Sequence, residues 1–239
     1  MKGSYSIAIF GAFNIKSFGD SLYPIAIYKG LSEEIPLWKV ELFSIGGGQG
    51  GYDDWSIHTY DEFDEIHSSV GFDAIIVGGG ELFHNKDISF EAGKVIYPGG
   101  EIWKKPVEYG KRYHLPVILN GVGMPYEFSQ SEIGDARSIL NGISYVSLRD
   151  VYSCERWRHC LGQAGKPVLV PDNMWSVHDF YSNAELEDTF QSLKDEYGIA
   201  KKFFLFQYGT TKAFKEVWKL IRKYAENENA LIVTIAINA

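Results

Sequence analysis

Cysteine is nearly absent from this sequence: Cys154 and Cys160 are the only two in 239 residues. A disulfide framework is therefore excluded. No second cysteine–histidine cluster completes a zinc site, so His159 beside Cys160 reads as incidental. So few thiols point to a reducing, cytoplasmic setting. Cations are also outnumbered, with 23 Lys and Arg against 31 Asp and Glu, for a net charge of −8. Nucleic acid and anionic membrane surfaces need a basic footprint and are disfavoured, whereas a small anionic substrate needs only a few local cations. No apolar stretch approaches the roughly 20 residues of a membrane span. The opening MKGSYSIAIFGAF weakly mimics a signal peptide. Asn14, Lys16 and Asp20 follow at once without a clear small-residue cleavage site, so the run reads as a first β-strand. The loop after it lacks GxGxxG and no GxxxxGK[ST] occurs, which argues against a dinucleotide fingerprint and a P-loop. No Ser-His-Asp spacing and no metal-ligand spacing stands out.

What is present is an ordinary globular composition, 45% hydrophobic and 23% charged. Aromatics reach 15%, which suits either core packing or the stacking faces of a sugar cleft. Apolar runs of strand length recur: SIAIFGAF, KVELFSI, DAIIVGGG, LPVILNGVG, ISYVSLRD, KPVLVPD, FFLFQYG and ALIVTIAIN. They are nearly continuous rather than alternating, as strands buried on both faces should be. Helical patterns lie between several of them, in SLYPIAIYKGLSEE, DEFDEIHSSV, SEIGDARSIL and SCERWRHCLG, whereas GGGQGGYDDW (46–55) reads as a loop. The alternation predicts a doubly wound, mostly parallel α/β sheet. The polar, acidic stretch 178–202 reads as a helical connector and as the domain boundary. Residues 203–239 then form one strand–helix–strand, with Phe214, Val217, Trp218, Ile221 and Tyr224 at the spacing of a buried stripe. One such unit cannot cover two sheet faces, so it either extends the first sheet or begins a second, incomplete lobe.

In an open parallel sheet, ligands bind beyond the carboxyl ends of the strands, and the unusual residues fall there. The first strand is followed by Gly11, Asn14, Gly19 and Asp20. Gly78, Gly79 and Gly80 come next, then Glu81 and His84; the following strand ends at Asn120 and Gly121. ISYVSLRD closes on Arg149 and Asp150, and KPVLVPD on Asp172. Each has two readings. The glycine triplet admits either close internal packing or a sugar or anion near bare backbone. Asp20 is a helix N-cap or a site residue. Arg149 is a structural ion pair with Asp150 or a bidentate partner for phosphate or carboxylate. His84, His114 and His178 are candidate acid–base groups.

In order and spacing, IAIFGAFNIKSFGDSLYP, DAIIVGGGELF, LPVILNGVGMP, YVSLRDVYS and VLVPD resemble the polysaccharide pyruvyl transferase family, over roughly residues 5 to 175. The resemblance implies two Rossmann-like lobes of GT-B type. The N-terminal lobe would span 1–177, the connector 178–202, and an incomplete second lobe 203–239. It also implies transfer of the enolpyruvyl group of phosphoenolpyruvate to a sugar hydroxyl pair as a ketal, in cell-surface polysaccharide biosynthesis. No cofactor is expected besides this donor substrate, and no metal. By match to the family pattern, Arg149 would contact an anion and Glu81 and His84 would do acid–base work. Gly78, Gly79 and Gly80 would floor the cleft, and Asn14, Gly19 and Asp20 would shape its acceptor side, with Gly11, Asn120, Gly121 and Asp150 completing the edge. With its second lobe incomplete, the chain alone is expected to turn over little. The implied acceptor is a saccharide or lipid-linked saccharide. Work at the inner face of a membrane, and a homo-oligomer, are both compatible with the sequence. A nucleotide-sugar glycosyltransferase of GT-B type and a non-catalytic saccharide-binding lobe are the alternatives.

Overall fold

The computed structural model describes residues 3–14, 18–48, 55–90, 95–207 and 214–235. The chain divides into two compact units, Met1–Val177 and His178–Ala239. The first is built on seven strands: β1 (Tyr5–Gly11), β2 (Leu37–Ser44), β3 (Ile57–Thr59), β4 (Ala74–Gly78), β7 (Val117–Val122), β8 (Tyr145–Leu148) and β9 (Val168–Leu169). Two further short strands, β5 (Ile88–Phe90) and β6 (Val95–Tyr97), pair antiparallel as a separate ribbon. The seven lie in the order β3-β2-β1-β4-β7-β8-β9, every neighbouring pair parallel. From β1 the chain first steps outward to β2 and β3, then returns to β4 and steps the other way. The switch point of this Rossmann-like sheet therefore falls between β1 and β4.

The helices α1 (Phe18–Glu34), α2 (Phe63–Val70), α3 (Glu101–Tyr113), α4 (Gln130–Leu140) and α5 (Val151–Leu161) complete the unit. Because strand side chains alternate, β1 feeds two cores. Ile7 and Ile9 pack with Tyr23 and Ile27 of α1. Ala8 and Phe10 pack with Phe63, Trp103, Val107 and Trp157 on the opposite face. The sheet is thus doubly wound, as the unbroken apolar strands predicted. Helix ends follow local chemistry. Glu132 reaches back to the Ser129 N–H at 2.8 Å at the start of α4. Gly71, at a φ of 69°, closes α2 with its N–H on the His67 carbonyl.

In the second unit, α6 (Asn183–Glu196) precedes β10 (Phe203–Gln207), α7 (Phe214–Asn227) and β11 (Leu231–Ile235). Ser182 and Glu185 form a reciprocal capping box at the start of α6. β10 and β11 pair in parallel as a two-stranded sheet of their own, so they do not extend the first one. The stripe expected along α7 is only partly covered. Trp218 and Ile221 are half-buried, but Val217 and Tyr224 are 42% and 57% exposed. Two strands offer too narrow a wall for the whole face.

Candidate functional site at the carboxyl edge of the sheet

β1 and β4 leave the sheet side by side, and both end in glycine. A Cβ on Gly11 would lie 2.5 Å from the Phe13 ring and 2.9 Å from the Gly78 carbonyl oxygen. On Gly78 it would lie 1.9 Å from the Tyr23 Oη and 2.4 Å from the Asn120 carbonyl oxygen. Tyr23, carried by α1, is buried, donates to that carbonyl at 2.9 Å and accepts from the Asn120 side chain at 3.0 Å. Burial pushes its phenol well above the usual range, against the opposing effect of the Asn120 hydrogen bond. Bare backbone at Gly78 therefore makes room for a tyrosine inside the protein, in keeping with the internal-packing reading of that glycine. Gly79 packs on the same ring at a φ of 87°, and Gly80 turns at 63°. Its missing Cβ would sit 2.8 Å from Asp20 Oδ1, so the triplet ends beneath a carboxylate at the surface.

Around Arg149 the four strand exits converge. Its Nη2 lies 3.1 Å from Glu81, its Nη1 3.4 Å from Asp172 and its Nε 3.4 Å from Asp150. The guanidinium lies across Gly123, where a Cβ would come within 2.9 Å of Nε. The sequence reading missed Gly123, because its reason is an arginine 26 residues later. Arg149, expected as an anion contact, has three carboxylates around it, a wider set than the single Asp150 pair weighed from sequence. Asp150 also caps α5, accepting from the Ser153 N–H at 2.7 Å and hydroxyl at 3.1 Å. Burial works to raise its carboxyl, but those bonds and Arg149 prevail and hold it below the usual carboxylate range. Ser153 in turn accepts from the Met124 N–H at 2.9 Å, and fully buried Ser147 from the Gly121 N–H at 2.8 Å. The Ser-x-Arg-Asp strand end thus fixes the neighbouring exit of β7 residue by residue.

His84 is buried beside this edge. Its Nδ1 accepts the Lys86 N–H at 3.1 Å, which leaves the proton of the neutral ring on Nε2. Burial lowers its pKa, only partly offset by that hydrogen bond and by Glu81. The ring meets Tyr126 edge-on at 5.6 Å, and Lys86 sits 3.5 Å above the tyrosine face. Glu81 is the most exposed of the three carboxylates on Arg149. In the first loop, the Asn14 side-chain Oδ1 accepts the Ser44 hydroxyl at the end of β2. A Cβ on Gly19 would stand in open space, so no contact requires glycine there. Asp20 lies in the first turn of α1 rather than capping it. The other two histidines lie elsewhere. His114 terminates α3 at a φ of 57°, just before β7 enters the sheet and so at the opposite edge. His178 is exposed beside Asp179 in the second unit. Among the described residues, no group of three metal-ligating side chains could hold an ion.

One cation among three carboxylates, with Asp20 at the adjoining glycine, is an edge that accepts hydrogen bonds and opposes anions. Fold and edge together describe a Rossmann-like α/β protein with a cluster of carboxylates around one arginine at the carboxyl edge of its sheet. The family model for polysaccharide pyruvyl transferase matches residues 4–239, and the chain belongs to that family. That family is one of transferases. Among solved structures, a UDP-N-acetylglucosamine 2-epimerase from Rickettsia bellii aligns with a TM-score of 0.52 at 11% identity, over 97% of this chain. This chain covers 62% of that one, and the likeness is one of fold. No curated protein matches the sequence.

Proposed function

We propose that the chain acts in pyruvyl transfer from phosphoenolpyruvate to a saccharide, and that its first unit holds the acceptor. The carboxylate cluster on Arg149 carries this reading, because ionised carboxylates accept hydroxyl protons well and repel a phosphorylated donor. In the reaction, two acceptor hydroxyl oxygens form bonds to C2 of the donor, while its carbon–carbon double bond becomes single and its C2–O bond to phosphate breaks. One hydroxyl proton goes to the methylene carbon, making a methyl group, and the other leaves with phosphate. Glu81, the most accessible carboxylate, would take a proton from an acceptor hydroxyl, and neutral His84 would donate a hydrogen bond through Nε2. Arg149 would hold Glu81 and Asp172 in place. An anion on Arg149 would compete with these carboxylates for its N–H donors.

No helix among the described residues is long and apolar enough to cross a membrane. A cytoplasmic enzyme acting on a saccharide or lipid-linked saccharide at the inner membrane face, without a further cofactor, is consistent with that. The test is release of phosphate from phosphoenolpyruvate by the purified chain, with and without saccharide acceptors, alongside Glu81→Gln. Acceptor-dependent release, even at the low rate expected of this chain alone, that Glu81→Gln removes supports the proposal. Saturable binding of uridine diphosphate, with no response to phosphoenolpyruvate, would replace it with a nucleotide-sugar transferase.

A further inference from the structure

A second recess opens on the same edge of the first unit, away from Arg149. It encloses about 310 Å³ between Ile45, Tyr60, Asp61, Pro98, Glu101 and Lys105. Ile45 directly follows β2, Tyr60 and Asp61 follow β3, and Glu101 opens α3. Its wall is preformed. The Tyr60 ring is buried, its hydroxyl donates to the Ile102 carbonyl at 3.3 Å, and its own carbonyl accepts the Tyr109 hydroxyl at 2.8 Å. At the mouth, Lys105 Nζ lies 3.0 Å from Asp61 and 3.9 Å from Glu101, with Lys105 and Glu101 partly exposed and Asp61 largely so.

An apolar floor with a few polar groups at its rim is the make-up of a small-molecule site. The balance of those groups selects the ligand. Two carboxylates against one ammonium disfavour an anion, and a cation would have to displace Lys105. A flat aromatic would bury the rim groups without partners, at a cost. A pyranose ring meets each demand: its C–H face suits Ile45 and Pro98, and its hydroxyls can both donate to Asp61 and Glu101 and accept from Lys105.

We infer that this recess is a second saccharide subsite, so that the acceptor is an oligosaccharide; the inference rests on the acceptor reading above. Four strand steps separate β2 from β8, along β2-β1-β4-β7-β8. At about 4.8 Å per step the two places lie roughly 19 Å apart, a distance that several linked sugar rings would bridge. The bond from Ser44 to Asn14 ties the β2 exit to the loop between them.

The test is amide chemical-shift mapping of the whole 15N-labelled chain, titrated separately with the methyl glycosides of glucose, galactose and N-acetylglucosamine. Saturable shifts are expected at Asp61, Glu101 and Lys105 with at least one of them. Lys105→Ala should weaken that binding about tenfold, as loss of a charged hydrogen-bond partner does, and Asp61→Asn provides a second variant of near-native shape. The spectra themselves show whether each variant is folded. Absence of shifts at these amides, or shifts that neither variant weakens, overturns the subsite. Shifts confined to the surroundings of Glu81 and Asp172 overturn it too while leaving the acceptor reading standing, since that reading is decided by phosphate release.

Discussion

Gly78 and Gly19 are both glycines at a strand exit or helix start, yet their surroundings differ completely. Gly78→Ala would drive a methyl group into Tyr23 and the Asn120 carbonyl, and overpacking of this kind costs about 1–3 kcal/mol. Tyr23→Phe removes the hydroxyl that would be struck, so the double variant should lose less than the sum of the two single ones. Additive losses in denaturant melts would exclude that contact as the cause. Gly19→Ala, facing open space near the start of α1, should be neutral or stabilising by up to about 1 kcal/mol. His84 gives a pH dependence. Burial holds its folded pKa below the ordinary value of 6.5, so the unfolded chain binds the proton first. Stability should be complete above that value and fall as pH drops through it toward the folded pKa. His67, lowered for the same reason, adds to the slope. Thermal melts of His84→Gln should show a shallower decline between neutral pH and about pH 5 than the parent; an unchanged slope would remove His84 as a source.

At the scale of elements, the cap of α5 joins fold to site. Asp150→Ala removes the acceptor for the Ser153 N–H and should cost about 1 kcal/mol, with Asp150→Asn recovering most of it. Because the native carboxyl sits below its usual range, its contribution should be present above the unfolded value of 3.8 and vanish as pH falls through the folded one. Asp150→Asn should therefore narrow its gap to the parent under acid, and a constant gap in urea midpoints would speak against the capping role. These connections also mark what a sequence can disclose. The central strands were legible because burial on both faces leaves unbroken apolar runs, and helices α1, α4 and α5 because each begins or ends in recognisable patterns. β9 was legible in KPVLVPD although only Val168 and Leu169 form the strand, whereas β3, of three residues, is held by pairing with β2 and carries little signal of its own. The ribbon β5–β6 was missed for the same reason. Within the site, the concentration of polar residues at strand exits was readable, but their partners were not. Tyr23 is 55 positions from Gly78, and Glu81 lies 68 from Arg149. Only the parallel order of the strands brings those pairs together.

Across the whole molecule, burial is shared very unevenly between the two units. Among the described residues, the clusters that make up the core are drawn entirely from the first unit. Among the described residues of the second, only Ala225 is buried. Its two-stranded sheet leaves an apolar recess between α6 and the strands, with Leu205 60% and Leu193 46% exposed. A two-stranded sheet is marginal in water without a covered apolar face, and a short chain that buries little surface cannot offset its conformational entropy. Expressed separately, residues 1–177 should therefore fold with a cooperative melt and a native near-ultraviolet signal from Trp103 and Trp157, both fully buried. Residues 178–239 should give weak helical signal and little amide protection. In the intact chain, hydrogen exchange should follow the same division, slow along β1, β4 and β7 and fast throughout β10 and β11. Equal protection in the two sheets would mean that the second unit draws stability from a source other than its own contacts.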